Sequence, residues 1–145
     1  PGVSLTTDII VGFPGETDAQ FQDTLKIMER IGYSSSFMFS YSPRPGTPAN
    51  EFEDSVPEET KRQRLQEIIQ LQNRMTEEQG KKYKGKTVEV LIEGNSSRPG
   101  YSFKGRNPQY WRVNAKGSEG RYQPGDMVQV RIEQTSGHGL SGIIQ

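Results

Sequence analysis

The sequence contains no cysteine and only one histidine, His138, among its 145 residues. Without cysteine the chain forms no disulfide and holds no cysteine-ligated zinc or iron–sulfur cluster, and one histidine is too few for a transition-metal site made by the protein alone. No run of residues approaches the roughly 18 apolar positions that a membrane span needs. These absences predict a cytoplasmic protein with no membrane contact and no metal site of its own.

Apolar residues are also scarce, at 30% of the sequence, which is low for one large core and favours two smaller units. The overall charge is zero, but its distribution is uneven. Residues 1–82 carry 9 Lys and Arg against 13 Asp and Glu, a net charge of −4, whereas residues 83–145 carry 9 against 5, a net charge of +4. Charge, and with it the class of partner, is therefore expected to divide between two regions.

The amino-terminal region predicts a βαβ unit. Thr6–Val11 is apolar and β-branched, as is typical of a parallel strand buried on both faces. An amphipathic helix follows, with Thr17 or Asp18 as its N-cap and Gly32 as its end. The string SSFMFSY then predicts a second strand, which a right-handed crossover would place parallel to the first.

Two parallel strands and one helix do not close a core. We therefore expect residues 1–56 to be the last part of a larger α/β domain, with the amino-terminal part of that chain missing from this sequence. The alternative is that later strands of this chain complete the sheet. Unpaired strand edges of this kind also favour a homodimer.

The rest of the sequence predicts a connecting helix over 57–82 and a small β-barrel over 83–145. Apolar residues at helical spacing, Leu65 to Met75, form one stripe of the helix, and charged residues cover the remainder. Short alternating segments separated by glycines then fit a five-stranded, OB-like barrel. The candidate strands are residues 87–93, 102–106, 110–115, 127–133 and 140–144. The predicted fold class is α/β followed by all-β.

The turn GFPGE, from Gly12 to Glu16, follows the first strand at the edge where α/β folds bind ligands. Gly12 and Gly15 allow close approach of a ligand to the backbone, although a plain tight turn explains the spacing equally well. The turn lacks the lysine and the spacing of a phosphate loop. Glu16 is predicted to lie at the N-terminus of the following helix and to stabilise it rather than to act as an acid or base.

Longer strings carry a resemblance to a known family. TDIIVGFPGET, FQDTL, YSPRPGTPA, VPEETKRQRLQEIIQLQ, and KGKTVEVLIEG followed by GR and GDMVQVRI together resemble the carboxyl-terminal part of the radical S-adenosylmethionine methylthiotransferases. Members of this family place a methylthio group on an isopentenyl-modified adenosine of tRNA. The resemblance spans nearly all 145 residues and implies a partial radical S-adenosylmethionine barrel followed by a TRAM barrel that binds RNA.

The resemblance also implies S-adenosylmethionine and two 4Fe–4S clusters in the full-length enzyme. Because the CxxxCxxC signature is absent, we expect no catalytic residue in these 145 residues and no activity from them alone. Arg44, at the end of the second strand, is expected to pair with an anionic ligand or with Glu51 or Glu53. The predicted cofactor-binding residues are Ile10, Gly12, Phe13, Glu16 and Arg44.

The basic region interleaves cations with the rings of Phe103, Tyr110 and Trp111, as in proteins that hold phosphates and stack unpaired bases. The alternative is that the rings are core and the cations are solvated; for Trp111 we predict a core position. The string GRNPQYWRVNA departs from the usual family pattern GRTxxNRVVNF at several positions, including Asn107 and Tyr110. The predicted RNA-binding residues are Lys104, Arg106, Asn107, Arg112, Asn114 and Lys116.

The predicted partner is the anticodon stem-loop of a tRNA. Two alternatives remain open: the related methylthiotransferase that modifies an aspartate of a ribosomal protein, and a non-catalytic RNA-binding module. A nucleotide-binding enzyme is disfavoured because the sequence lacks both the phosphate-loop lysine and a cluster of metal-binding acids. His138, between glycines, is predicted to be a turn residue.

Overall fold

The computed structural model describes residues 3–53, 56–118 and 120–145. It divides into two compact units, one formed by Leu5–Met75 and the other mainly by Thr76–Gln145. Within the described part of the chain, no helix combines the length and the apolar character needed to cross a membrane.

The first unit contains the predicted βαβ unit. Strand β1 (Thr6–Val11) pairs in parallel with β2 (Ser35–Ser40), and helix α1 (Asp18–Ile31) connects them. Thr17 is the N-cap of α1, where a reciprocal pair of hydrogen bonds with Gln20 forms a capping box. Gly32 ends the helix with a left-handed φ of 70° and donates its N–H to the Met28 carbonyl, as in helices that end on glycine.

Helix α2 (Glu58–Gly80) follows a loop that includes a short 3₁₀ helix (Pro48–Glu51), and a second 3₁₀ turn (Lys81–Tyr83) follows α2. The apolar stripe of α2 packs with α1 on one face of the two-stranded sheet. The buried core of this unit comprises Val11, Phe21, Met28, Ile68 and Leu71. Two cations that were expected on the solvated side of α2, Lys61 and Arg64, are instead buried, with 1% and 6% of their surface exposed.

The second unit contains a closed five-stranded barrel, which confirms the predicted all-β architecture. Its strands are β3 (Thr87–Asn95), β4 (Phe103–Arg106), β5 (Arg112–Lys116), β6 (Met127–Ser136) and β7 (Gly139–Ile144). The strand order is β3-β4-β5-β7-β6, and β5 with β7 is the parallel pair. Closure leaves the described strands without an open edge.

The barrel core is made by inward-facing aliphatic residues and two aromatic residues. Trp111 and Phe103 are each only 4% exposed, which confirms the core position predicted for Trp111. The Trp111 ring packs against Tyr83, with 5.4 Å between ring centroids. His138 lies in the two-residue turn between β6 and β7, as predicted.

Gly105 marks a very close approach between strands. A Cβ atom at this position would lie 2.1 Å from the carbonyl oxygen of Leu91 on β3. Such a distance is far inside van der Waals contact, so only glycine allows β4 to pair with β3 in this register.

Candidate functional site

The glycine turn after β1 is closed by a carboxylate. The Gly12 N–H donates to Oε2 of Glu16 at 2.6 Å, and the Glu16 N–H donates to the Phe13 carbonyl at 2.8 Å. Gly12 and Gly15 both have left-handed φ values, 70° and 81°. Glu16 therefore holds the turn together, and the N-cap of α1 is Thr17, one of the two predicted candidates.

Arg64 of α2 anchors this turn from the other side. Its Nη1 donates to Oε2 of Glu16 at 2.6 Å and to the Glu16 carbonyl at 3.1 Å, and its Nη2 donates to Oδ1 of Asp18 at 2.5 Å. The side chains of Arg64 and Glu16 are 7% and 12% exposed, whereas that of Asp18 is 93% exposed. Glu16 is thus the partner that depends most on Arg64.

The protonation of Arg64 follows from these contacts. Burial disfavours the charged guanidinium, but hydrogen bonds and charge attraction from Asp18 and Glu16 outweigh that cost and raise its pKa above the usual value. Because the usual pKa is already far above neutral, Arg64 remains charged and the anchor remains intact at physiological pH.

The space beside Gly12 is filled by α2. A Cβ atom at Gly12 would lie 2.4 Å from Cγ of Lys61. The Lys61 ammonium reaches Oε1 of Glu58 at 2.7 Å and lies 5.6 Å from the ring centroid of Tyr41. Because Gly12 has no side chain, the aliphatic part of Lys61 fits beside it. This packing explains why glycine stands here without requiring a bound ligand.

The face of the β1–β2 sheet opposite the helices is exposed and carries three large apolar side chains beside Asp8. Ile10 pairs in register with Phe39 on this face. Phe37, two residues before Phe39 on β2, lies on the same face. Their exposures are 56%, 52% and 63%. Phe13, at the carboxyl end of β1, is 42% exposed and packs edge-on against Tyr41 at 5.2 Å. We call Ile10, Phe13, Phe37 and Phe39 the open sheet face.

Arg44 lies in the exposed loop after β2. Its carbonyl accepts hydrogen bonds from Thr47, from the hydroxyl at 2.8 Å and from the N–H at 3.3 Å. Within the described ranges its guanidinium makes no ion pair with Glu51 or Glu53. The expected pairing with these acids is therefore absent from the described contacts, and the role of Arg44 toward a cofactor stays a prediction.

On the barrel, β4 and β5 bring the predicted cations together on one outward face. Lys104 stands opposite Asn114, and Arg106 stands opposite Arg112, while the alternate residues of both strands point into the core. Lys116 continues the same side of β5. We call Lys104, Arg106, Arg112 and Lys116 the cationic face.

The predicted RNA-binding residue Asn107 is used inside the protein. It is 4% exposed, and its Oδ1 accepts hydrogen bonds from the N–H groups of Gln109 at 3.1 Å and Trp111 at 2.9 Å. These bonds form the tight turn between β4 and β5. The Asn-Pro dipeptide at Asn107 is a turn signal in the sequence, and it indicated this role better than the comparison with the family string did.

Of the three rings in this region, Tyr110 is the exposed one, at 65%. The Arg106 guanidinium lies over its ring, 4.1 Å from the centroid. Arg106 is held in place by Glu93, whose Oε1 accepts from Nε at 3.0 Å. The cation and aromatic interleaving predicted from the sequence is therefore present at Tyr110 but not at Trp111 or Phe103.

Sequence reasoning missed a second ring beside the cationic face. Tyr101 lies between two cations, with the Arg98 guanidinium 5.0 Å and the Lys116 ammonium 5.5 Å from its ring centroid. Nearby, the Ser96 hydroxyl donates to Oδ1 of Asn114 at 2.7 Å. The position of Tyr101 between Arg98 and Lys104 in the sequence was the available signal.

Comparisons with known proteins agree with this geometry. Residues 81–144 match the TRAM domain family. The tRNA-2-methylthio-N(6)-dimethylallyladenosine synthase of Acetivibrio thermocellus is 44% identical over 99% of this chain, which covers 30% of that protein. The Bacillus subtilis protein of the same name is 43% identical over 98% of the chain, which covers 28% of it.

The match thus extends through the α/β unit as well as the barrel, and the chain spans about 30% of the length of the curated relatives it matches. The resemblance stated from the sequence motifs is confirmed. The chain contains a TRAM domain and is similar over nearly its whole length to tRNA methylthiotransferases of the tRNA-2-methylthio-N(6)-dimethylallyladenosine synthase type.

Proposed function

We propose that this chain works as part of a tRNA methylthiotransferase, in which its barrel holds tRNA and its α/β unit forms part of the cofactor-binding domain. The observation that carries the proposal is the cationic face, which projects from two adjacent strands of a TRAM barrel. A tRNA substrate implies work in the cytoplasm. The activity of the whole enzyme, methylthiolation of N6-isopentenyladenosine, comes from the relatives' name and from the family resemblance.

Electrostatics support an RNA partner for the barrel. Residues 83–145 carry a net charge of +4, and Lys104 and Arg112 are exposed without an ion pair to any other residue in the described ranges. Unneutralised cations on one face attract phosphates and release counterions on binding. We take the anticodon stem-loop as the segment of tRNA held there.

The α/β unit supports the proposal through its open sheet face. Without a ligand or neighbouring strands to cover them, Ile10 and Phe13 expose apolar surface to water. They lie beside the carboxyl end of a parallel strand, where α/β folds bind cofactors. We propose that residues 1–56 belong to a radical S-adenosylmethionine barrel, that 57–82 connect it to the TRAM domain over 83–145, and that other strands of that barrel flank β1 and β2. In an isolated α/β unit, the unpaired outer edges of β1 and β2 favour a homodimer.

The residues of this chain fit S-adenosylmethionine but not the two 4Fe–4S clusters. Ile10 and Phe13 are exposed and apolar, as a wall against the adenosyl part of S-adenosylmethionine requires, and Arg44 is exposed for its carboxylate. Gly12 and Glu16 serve the turn that carries this wall. Neither 4Fe–4S cluster can be held here, because the sequence has no cysteine, so we assign no reaction step to these residues.

The test is a binding titration of the 145-residue chain with an anticodon stem-loop and with an unrelated single-stranded RNA of equal length, at several salt concentrations. The double variant Lys104→Ala/Arg112→Ala should bind more weakly, and its salt slope should fall by about 1.4 to 1.8, which corresponds to two lost phosphate contacts.

Arg62→Ala is the matched control, because Arg62 is 70% exposed on α2 in the other unit. It should leave the affinity and the slope unchanged. Stronger binding of the stem-loop than of the unrelated RNA supports the tRNA enzyme. Failure of the folded chain to bind either RNA at low salt would overturn the proposal and favour the relative that modifies a ribosomal protein.

A further inference from the structure

The backbone of Tyr110 adopts a conformation that tyrosine normally avoids. Among the described residues it is the one non-glycine with a left-handed φ, 64°. Left-handed conformations place Cβ close to the backbone, so glycine or asparagine is the usual choice at such a position. A bulky aromatic residue there calls for an explanation beyond turn formation.

The turn imposes this conformation through Asn107. The Tyr110 N–H donates to the Asn107 carbonyl at 2.8 Å, and the Asn107 N–H donates to the Trp111 carbonyl at 3.2 Å. With the buried Asn107 side chain also bonded to Gln109 and Trp111, the chain from β4 to β5 has little freedom. The strained residue is therefore held by its surroundings, as at many functional sites.

The Tyr110 ring contributes little to the barrel core. It is 65% exposed and stands outside the core cluster, whereas the adjacent Trp111 is buried in it. The ring's close contact is with the Arg106 guanidinium, and an exposed cation–π pair is weak. Packing of the ring in the core thus does not explain why a tyrosine stands at this position of the turn.

The contact with Arg106 instead fixes the ring for a ligand. The guanidinium covers one side of the ring at 4.1 Å from the centroid and donates from Nη1 to the Tyr110 carbonyl at 3.5 Å. The Glu93 carboxylate accepts a hydrogen bond from Nε of Arg106 and so restrains the guanidinium. The result is a rigid, exposed aromatic surface at the end of the cationic face, which is the arrangement that stacks an unpaired base.

We propose that Tyr110 stacks on an unpaired nucleobase of the bound RNA, with Arg106 positioning the ring. This inference rests on the proposed RNA-binding function and adds the kind of nucleotide that is bound. Tyr110 would contact an unpaired nucleotide of an RNA whose phosphates lie on the cationic face. Base stacking is tolerant of base identity, so Tyr110 fixes where the RNA is unpaired rather than which base is present.

The experiment compares three variants of the 145-residue chain in titrations with an anticodon stem-loop that carries 2-aminopurine at one unpaired loop position. Tyr110→Phe keeps the ring and should bind within about twofold of the parent. Tyr110→Ala and Tyr110→Gly should each lose roughly 5-fold or more in affinity and should lose the quenching that stacking causes. Their salt slopes should equal that of the parent, because no charge is removed.

Tyr110→Gly separates binding from folding. Glycine accepts the left-handed φ without strain, so this variant should be at least as resistant to urea as Tyr110→Ala while binding RNA as weakly. If the parent binds RNA and both ring-less variants match it in affinity and quenching, the stacking inference is wrong and the proposed function stands. If the folded parent binds no RNA, both proposals fail.

Discussion

The Arg64 anchor gives the sharpest test of how α2 shapes the glycine turn. Replacing Arg64 with alanine removes two hydrogen bonds from Nη1 to Glu16, one to its carboxylate and one to its main-chain carbonyl. The carboxylate keeps the Gly12 N–H, at 2.6 Å, as its remaining described partner. The Glu16 side chain is only 12% exposed, so water replaces the lost guanidinium incompletely. The variant therefore leaves a largely buried charge without its counter-ion.

Breaking a buried ion pair by removing one partner costs roughly 3 to 5 kcal/mol, and the partial exposure of Glu16 points to about 3 kcal/mol. Asp18 adds little to this figure, because its side chain is 93% exposed and surface pairs contribute about 0 to 1 kcal/mol. Asp18→Asn should accordingly cost less than about 1 kcal/mol. Arg62→Ala, which removes an exposed pair with Glu59, should behave in the same way.

The assay is urea unfolding followed by circular dichroism at 222 nm, which reports on α1 and α2. Fluorescence of Trp111, the one tryptophan of the sequence, reports separately on the barrel. Arg64→Ala should lower the free energy of unfolding of the helical unit by about 3 kcal/mol, and its Trp111 emission without urea should match the parent's. A loss no larger than that of Arg62→Ala would refute the reasoning.

Three further predictions follow from single contacts. Gly105→Ala should prevent barrel closure, because its Cβ would lie 2.1 Å from the Leu91 carbonyl oxygen; Trp111 emission should shift to the red, and a native spectrum would contradict this. Thr17→Ala should cost about 1 kcal/mol of helical stability in urea, whereas Thr24→Ala in the middle of α1 should not; equal losses would argue against the cap. The cost of Arg64→Ala should be the same at pH 7 and pH 9.5. Because folding raises the pKa of Arg64, its contribution to stability is fully present at any pH below the arginine pKa of the unfolded chain. A cost of Arg64→Ala that shrinks between pH 7 and pH 9.5 would therefore contradict a charged Arg64.

Features that depend on neighbouring residues were predictable from the sequence. Gly32 was predicted as the end of α1, and Thr17 was one of two predicted N-caps beside Asp18, because capping is decided within a few positions of the chain. The alternation over residues 87–93 and 127–133 predicted β3 and β6, which pair with each other. Both strands extend beyond these ranges because pairing continues past a register shift that no alternation reveals.

The contacts that shape the sites were not predictable, because they join distant residues or depend on backbone conformation. Arg64 and Glu16 are 48 positions apart, and the charge of Arg64 suggested solvent rather than a buried anchor. Asn107 was predicted to bind RNA because it follows Arg106 in the basic region, but its burial follows from the turn that its own side chain builds. Tyr110 and Trp111 are adjacent aromatic residues, and the left-handed φ of Tyr110 decides which ring is exposed.

The strand order of the barrel also has a consequence for the protein during its synthesis. β7 (Gly139–Ile144) pairs with both β5 and β6, so β5 has its second neighbour only after residue 144 has been made. Until that moment the barrel is open between β5 and β6, and the edge of β5 that β7 later covers has no partner strand. The cationic face is carried by β4 and β5, so the strands that present it are paired along both edges only once β7 has been made.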